Sequence, residues 1–172
     1  MCMEGGAYME QLTNLVISDR ELAFISTALN KLMNDTNATS VMLIDKSGQV
    51  IASQGSGTRR NITSLGALLA GAFSSSRQIA ELLGEKDFRS IFQQGVNENI
   101  YTTLVEEQWL LVIVFDKLTH IGLVKILSKK AGDELGRILE RVRTDTTRKK
   151  SSVINVEFRS SVEDTIDLLF RD

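Results

Sequence analysis

The chain has 172 residues, of which 42% are hydrophobic and 24% charged, and a net charge of −2. That suits one domain with short extensions and an apolar core. It excludes bulk electrostatic attraction to nucleic acid or an anionic membrane, although not a local basic patch. With one cysteine, Cys2, and one histidine, His120, the chain has too few ligands for a His/Cys zinc site. It also lacks the thiols for an intrachain disulfide, which fits a reducing compartment. The start, MCMEGGAYMEQL, carries no basic segment or apolar stretch of a signal peptide. The longest strongly apolar run, Trp109 to Phe115, is too short to span a bilayer. A soluble cytoplasmic protein is expected.

Taken in chain order, residues 1–17 read as a flexible start containing Gly5-Gly6. Ser18-Asp19-Arg20-Glu21 then matches a capping box, in which serine and glutamate satisfy each other's free backbone donors. Leu22, Ile25, Leu29, Leu32 and Met33 follow at helical spacing, predicting a helix to about Asn34. Val41 to Ile44 and Gln49 to Ser53 read as strands around Asp45-Lys46-Ser47-Gly48. There aspartate starts the turn and glycine takes the positive φ of a bulged hairpin. After Gly55-Ser56-Gly57, a long helix is predicted from Asn61, as cap, to Leu83, with Gly84 as its stop. Phe88 to Gln93, Ile100 to Val105 and Trp109 to Phe115 read as three more strands, the last central and covered on both faces. Thr119 reads as the cap of a third helix, striped by Val124, Leu127, Ala131, Leu135, Ile138 and Val142. TDTTRKKSS, residues 144–152, reads as a polar linker, and Ser161-Val162-Glu163-Asp164 as the start of a short terminal helix. The fold class is therefore α+β, in the order helix-strand-strand-helix-strand-strand-strand-helix, with a five-stranded antiparallel sheet.

The stretch SVMLIDKSGQVIASQGSGTRR, Ser40 to Arg60, admits three uses: a small-molecule sensor, a phosphate cradle, or scaffolding. A cradle at a helix start is chemically reasonable, but neither GK[ST] nor GxGxxG is completed. No cofactor is expected, and none of the carboxylates is paired by spacing into an active site. The second helix carries a stronger signal. It is uncharged from Ile62 to Ser76, and Ala67, Gly71 and Ser75 recur every fourth residue as a smooth stripe. Interior glycine costs about 1 kcal/mol relative to alanine, so Gly66 and Gly71 call for a reason. Either the small residues fit tight packing within the chain, or they let another molecule come close. In the terminal segment, Val162, Ile166, Leu169 and Phe170 share a face of a helix too short to be stable alone. It would order by docking on its own domain or on a partner.

The succession IFQQG, ENIY, LLVIVFD and IGLVK between Phe88 and Leu135, with LLAGAFSSSRQIAELLGE from Leu68, resembles the Roadblock family over about residues 18–143. The resemblance implies an α/β/α sandwich and a homodimer in which central helices pack together and edge strands, here Phe88 to Gln93, pair. Leu68, Ala72, Phe88, Ser90 and Phe92 are the implied dimer contacts. The gliding-motility branch of the family binds a small Ras-like GTPase of the MglA type, one per dimer, and stimulates GTP hydrolysis, with roles in cell polarity. Ala67 and Gly71 match its GTPase-facing small positions. Ser74, Ser75 and, in the extension at 153–172, Ile166, Leu169 and Phe170 complete the implied contact. The activating arginine is generally the GTPase's own, so neither Arg59 nor Arg60 need supply it. The resemblance further implies a location in the cytoplasm or at a cell pole, with neither nucleic acid nor membrane as partner. Two departures stand out: Lys125 where arginine is common, and KLTH, Lys117 to His120, in place of small residues. Other Roadblock proteins bind without activating, so fold alone leaves the scaffold reading open.

Overall fold

The computed structural model describes residues 17–56 and 61–169, with side chains through residue 147. The elements are α1 (Asp19–Thr36), β1 (Ser40–Asp45), β2 (Val50–Gly55), α2 (Ile62–Leu82), β3 (Ser90–Gln94), β4 (Glu98–Val105), β5 (Trp109–Asp116) and α3 (Ile121–Leu169). Their order is the expected one. Ser18–Ile138 form one compact unit, and the later part of α3, from Leu139, belongs to a second.

The five strands form one antiparallel sheet in the order β2-β1-β5-β4-β3. Strand alternation sends Met42, Ile44, Leu110 and Val112 to one face, where they pack with Leu69, Ala70 and Phe73 of α2. Val41, Leu43, Leu111, Ile113 and Phe115 point the other way and are no more than 1% exposed. α1, which packs against β1 and β2, and the first part of α3 cover that face. β5 is thus buried on both sides, which explains its almost unbroken apolar run.

The local chemistry is well determined. Ser18 and Glu21 form the predicted capping box, with the Ser18 amide donating to the Glu21 carboxylate at 2.9 Å. Asp45 Oδ1 accepts from the amides of Ser47 and Gln49, both at 2.9 Å, and from the Ser47 hydroxyl at 2.6 Å. Gly48 closes this turn at φ +92°, and the register shifts between Leu43 and Ile44, the bulge a glycine hairpin needs. Gly84, at φ +80°, follows the end of α2.

Four local readings are corrected. Asn61 occupies the N-cap of α2 but makes no side-chain capping bond. Thr119 is not the cap of α3, because the helix starts at Ile121 and its first carbonyl acceptor is His120 O, which accepts from the amides of Leu123 and Val124 at 3.0 and 3.2 Å. The Thr119 hydroxyl donates to Thr36 O at 3.2 Å and ties the end of α1 to the turn before α3. β3 begins at Ser90, not at Phe88, whose ring turns onto Phe73 (centroids 5.3 Å apart) and joins the α2 core. The break read at 144–152, and the fresh start at Ser161, are absent: α3 is one helix of 49 residues. No glycine or proline lies beyond Gly136 to stop it. Through the polar stretch the threonine hydroxyls of Thr144, Thr146 and Thr147 each donate to the carbonyl four residues back, at 2.9 Å.

Candidate functional site

The outer surface of α2 is built by a simple constraint. Leu69, Ala70 and Phe73 face the sheet, so Ala67, Leu68, Gly71, Ser74 and Ser75 face away from it and are exposed. Leu68 is 72% exposed, and Ile79, Leu82 and Leu83 continue the apolar surface toward the helix end. The face is uncharged from Ile62 to Ser76. The first charge is Arg77, which pairs with Glu81 at 3.5 Å and approaches Glu107 at 3.8 Å. An uncharged helix face carrying large exposed aliphatics is unusual for a surface left to water.

Two of its small residues have different causes. A Cβ on Gly66 would meet Gly48 O at 2.5 Å and Val50 Cγ2 at 3.0 Å, so the β1–β2 turn demands glycine there. Conversely, a Cβ on Gly48 would sit 2.6 Å from Ala67 Cα, so the hairpin turn seats directly against the helix backbone. Nothing lies within 4 Å of a Cβ on Gly71. Packing within the chain accounts for Gly66 and leaves Gly71 unaccounted for. Helical spacing could not separate the two, since the contact to residue 48 is non-local.

The residues expected at a dimer contact are spread over two elements. Leu68 is exposed and Ala72 half-buried on α2, and Ser90 is half-buried on β3. Phe92 is 39% exposed and stacks on Phe115, with ring centroids 6.2 Å apart and planes 13° apart. Phe88, in contrast, is largely committed to the α2 core. β3 pairs only with β4 and is one of the two sheet edges, with its far side unpaired among the described residues. Ile166 and Leu169 lie on the helical backbone of α3, whereas Phe170, Arg59 and Arg60 fall outside the described residues.

On the opposite face a groove of about 740 Å³ separates α3 from β3 and β4. Tyr101, Thr103 and Ser128 line it, rimmed by both Asp133 and Lys129. It lies at the other edge of the sheet from the β1–β2 turn, so it does not serve that hairpin as a sensor pocket. Among the described residues, no group of three His, Cys, Asp or Glu side chains could hold a metal.

Residues 24–115 match the Roadblock/LC7 domain model, more than half of the chain. The chain is a Roadblock/LC7 protein. Solved relatives of this Roadblock chain include Myxococcus xanthus MglB, at 38% identity over 74% of this chain and 96% of that one, with a TM-score of 0.68. The gliding protein MglB from Thermus thermophilus has 31% identity with the same coverage and TM-score. An MglB described as having a tetrameric arrangement has 30% identity, again over 74% and 96%, and a TM-score of 0.70. Among curated protein sequences none matches. The matched family is not a catalytic one, and no helix among the described residues is long and apolar enough to cross a membrane.

Proposed function

We propose that this Roadblock protein is an MglB-like regulator that binds a small Ras-like GTPase of the MglA type and stimulates its GTP hydrolysis. The observation that carries the proposal is the outer face of α2: uncharged from Ile62 to Ser76, exposed, and open around Gly71. Relatedness to MglB supports this choice of partner class. A homodimer joined at β3 would bring two α2 helices together as one low platform for a single GTPase, with Ala67, Gly71, Ser74 and Ser75 against it. Phe92, Ser90, Leu68 and Ala72 would lie in the dimer contact. The protein performs no bond chemistry in this scheme. It accelerates hydrolysis by binding the competent arrangement of the GTPase better than the relaxed one.

Single-turnover GTP hydrolysis by the MglA-type partner, with and without this protein, tests the proposal. Acceleration is expected; binding without acceleration would reduce the protein to a passive scaffold. Arginine at Gly71 or Ala67 adds bulk and charge to the platform and is expected to weaken GTPase binding at least tenfold, about 1.4 kcal/mol, while the dimer persists. Variants that bind normally yet fail to dimerise would place this helix face in the dimer contact instead.

A further inference from the structure

We propose that the solvent-facing surface at the start of α3 docks peripherally on an anionic lipid bilayer. Leu118, Leu123 and Ile126 are 76%, 45% and 70% exposed. Around them stand Lys117, Lys125, Lys129 and Lys130, all exposed, and none makes an ion pair among the described residues. No acidic residue occurs between Lys117 and Lys130. The preceding Asp116 is engaged by the turn, its Oδ1 accepting from the Leu118 amide at 2.8 Å. Val124, Ser128, Ala131 and Leu135 are buried, which fixes Ile126 on the outward side of the helix. The chain's net negative charge therefore conceals a local excess of positive charge, to which KLTH and Lys125 belong, bordered by Asp133 and Glu134 one turn on and by Glu106 and Glu107 across the groove.

Charge complementarity selects the occupant. Four lysines clustered at one surface are the pattern that anionic headgroups attract, while aliphatic side chains among them enter the acyl boundary. An acidic protein would answer the same charges, but lysine is depleted at protein interfaces, where arginine and aromatic anchors predominate. This surface has neither. Lysine can instead lay its stem along apolar surface and keep its ammonium at headgroup level. The surface lies on the side of the sheet away from α2, so docking would leave the α2 face free. The inference does not depend on the GTPase reading.

Vesicle co-sedimentation of the full chain tests it. Vesicles of phosphatidylcholine with about 30% phosphatidylglycerol should retain the protein at about 0.05 M salt and release it near 0.5 M, as screening shortens the reach of the charges. Neutral phosphatidylcholine vesicles should retain it at least tenfold less. Ile126→Glu and the pair Lys129→Glu with Lys130→Glu should each lower retention at least tenfold. The pair Lys46→Glu with Lys86→Glu, the same change of charge elsewhere, should leave it unchanged. No retention on anionic vesicles, or equal loss in the control pair, overturns the proposal. So does a change of oligomeric state in Ile126→Glu without lipid, which would make this face a contact between copies.

Discussion

Gly66 and Gly71 sit little more than one turn apart on α2, and the difference in their surroundings has opposite consequences for stability. Alanine at Gly66 would press on Gly48 O and Val50, an overpacking expected to destabilise by roughly 1–3 kcal/mol. Alanine at Gly71 meets nothing within 4 Å and removes the penalty of an interior helical glycine, a gain of roughly 0.5–1 kcal/mol. Urea denaturation of the two variants should therefore shift the midpoint in opposite directions. A destabilised Gly71→Ala protein would show that another molecule already occupies the space above that residue. At this scale the sequence was informative where interactions are local. The capping box at Ser18 and the glycine turn at Gly48 are both readable from neighbours in the chain. The seating of Gly66 on that turn, and of Phe88 on Phe73, depends on residues far apart in sequence, which periodicity does not report.

Among the elements, the strands and the first two helices were legible because their apolar periods are strong and glycine or a polar turn punctuates each end. α3 was not. Its polar stretch at 144–152 lacks an apolar stripe, yet a missing stripe does not end a helix; the better signal was the absence of glycine and proline after Gly136. The segment from Val153 onward therefore continues an existing helix rather than nucleating a new one, which lessens the cost of ordering it. If it docks on the GTPase, truncation after Ser152 should leave the melting temperature of the remaining protein unchanged. It should weaken binding of the GTP-state partner about tenfold, equivalent to about 1.4 kcal/mol. Titration of full-length and truncated protein measures this, and equal affinities would remove the segment from the contact.

For the whole molecule, the unpaired side of β3 and the uncharged face of α2 both favour association. Open edges and apolar helix faces are seldom left to water. Light scattering at micromolar concentration is expected to return twice the 19.1 kDa chain mass, with an interface of about 1,200–2,000 Å² in total. A mass of one chain across that range would refute the dimer. The order β2-β1-β5-β4-β3 was only partly legible, since hairpin links give β1–β2 and β3-β4-β5 but not the joint between them. That joint, Ser40 to Asp45 against Trp109 to Val114, has a bearing on biosynthesis. The first hairpin emerges from the ribosome long before its partner strand exists, and neither loop closure nor burial of Val41 and Leu43 can be completed until then. β5 is thus the strand whose arrival converts two separate hairpin systems into one sheet. Until it is made, the nascent chain carries an apolar half-core and an unpaired strand edge, the kind of surface that favours aggregation.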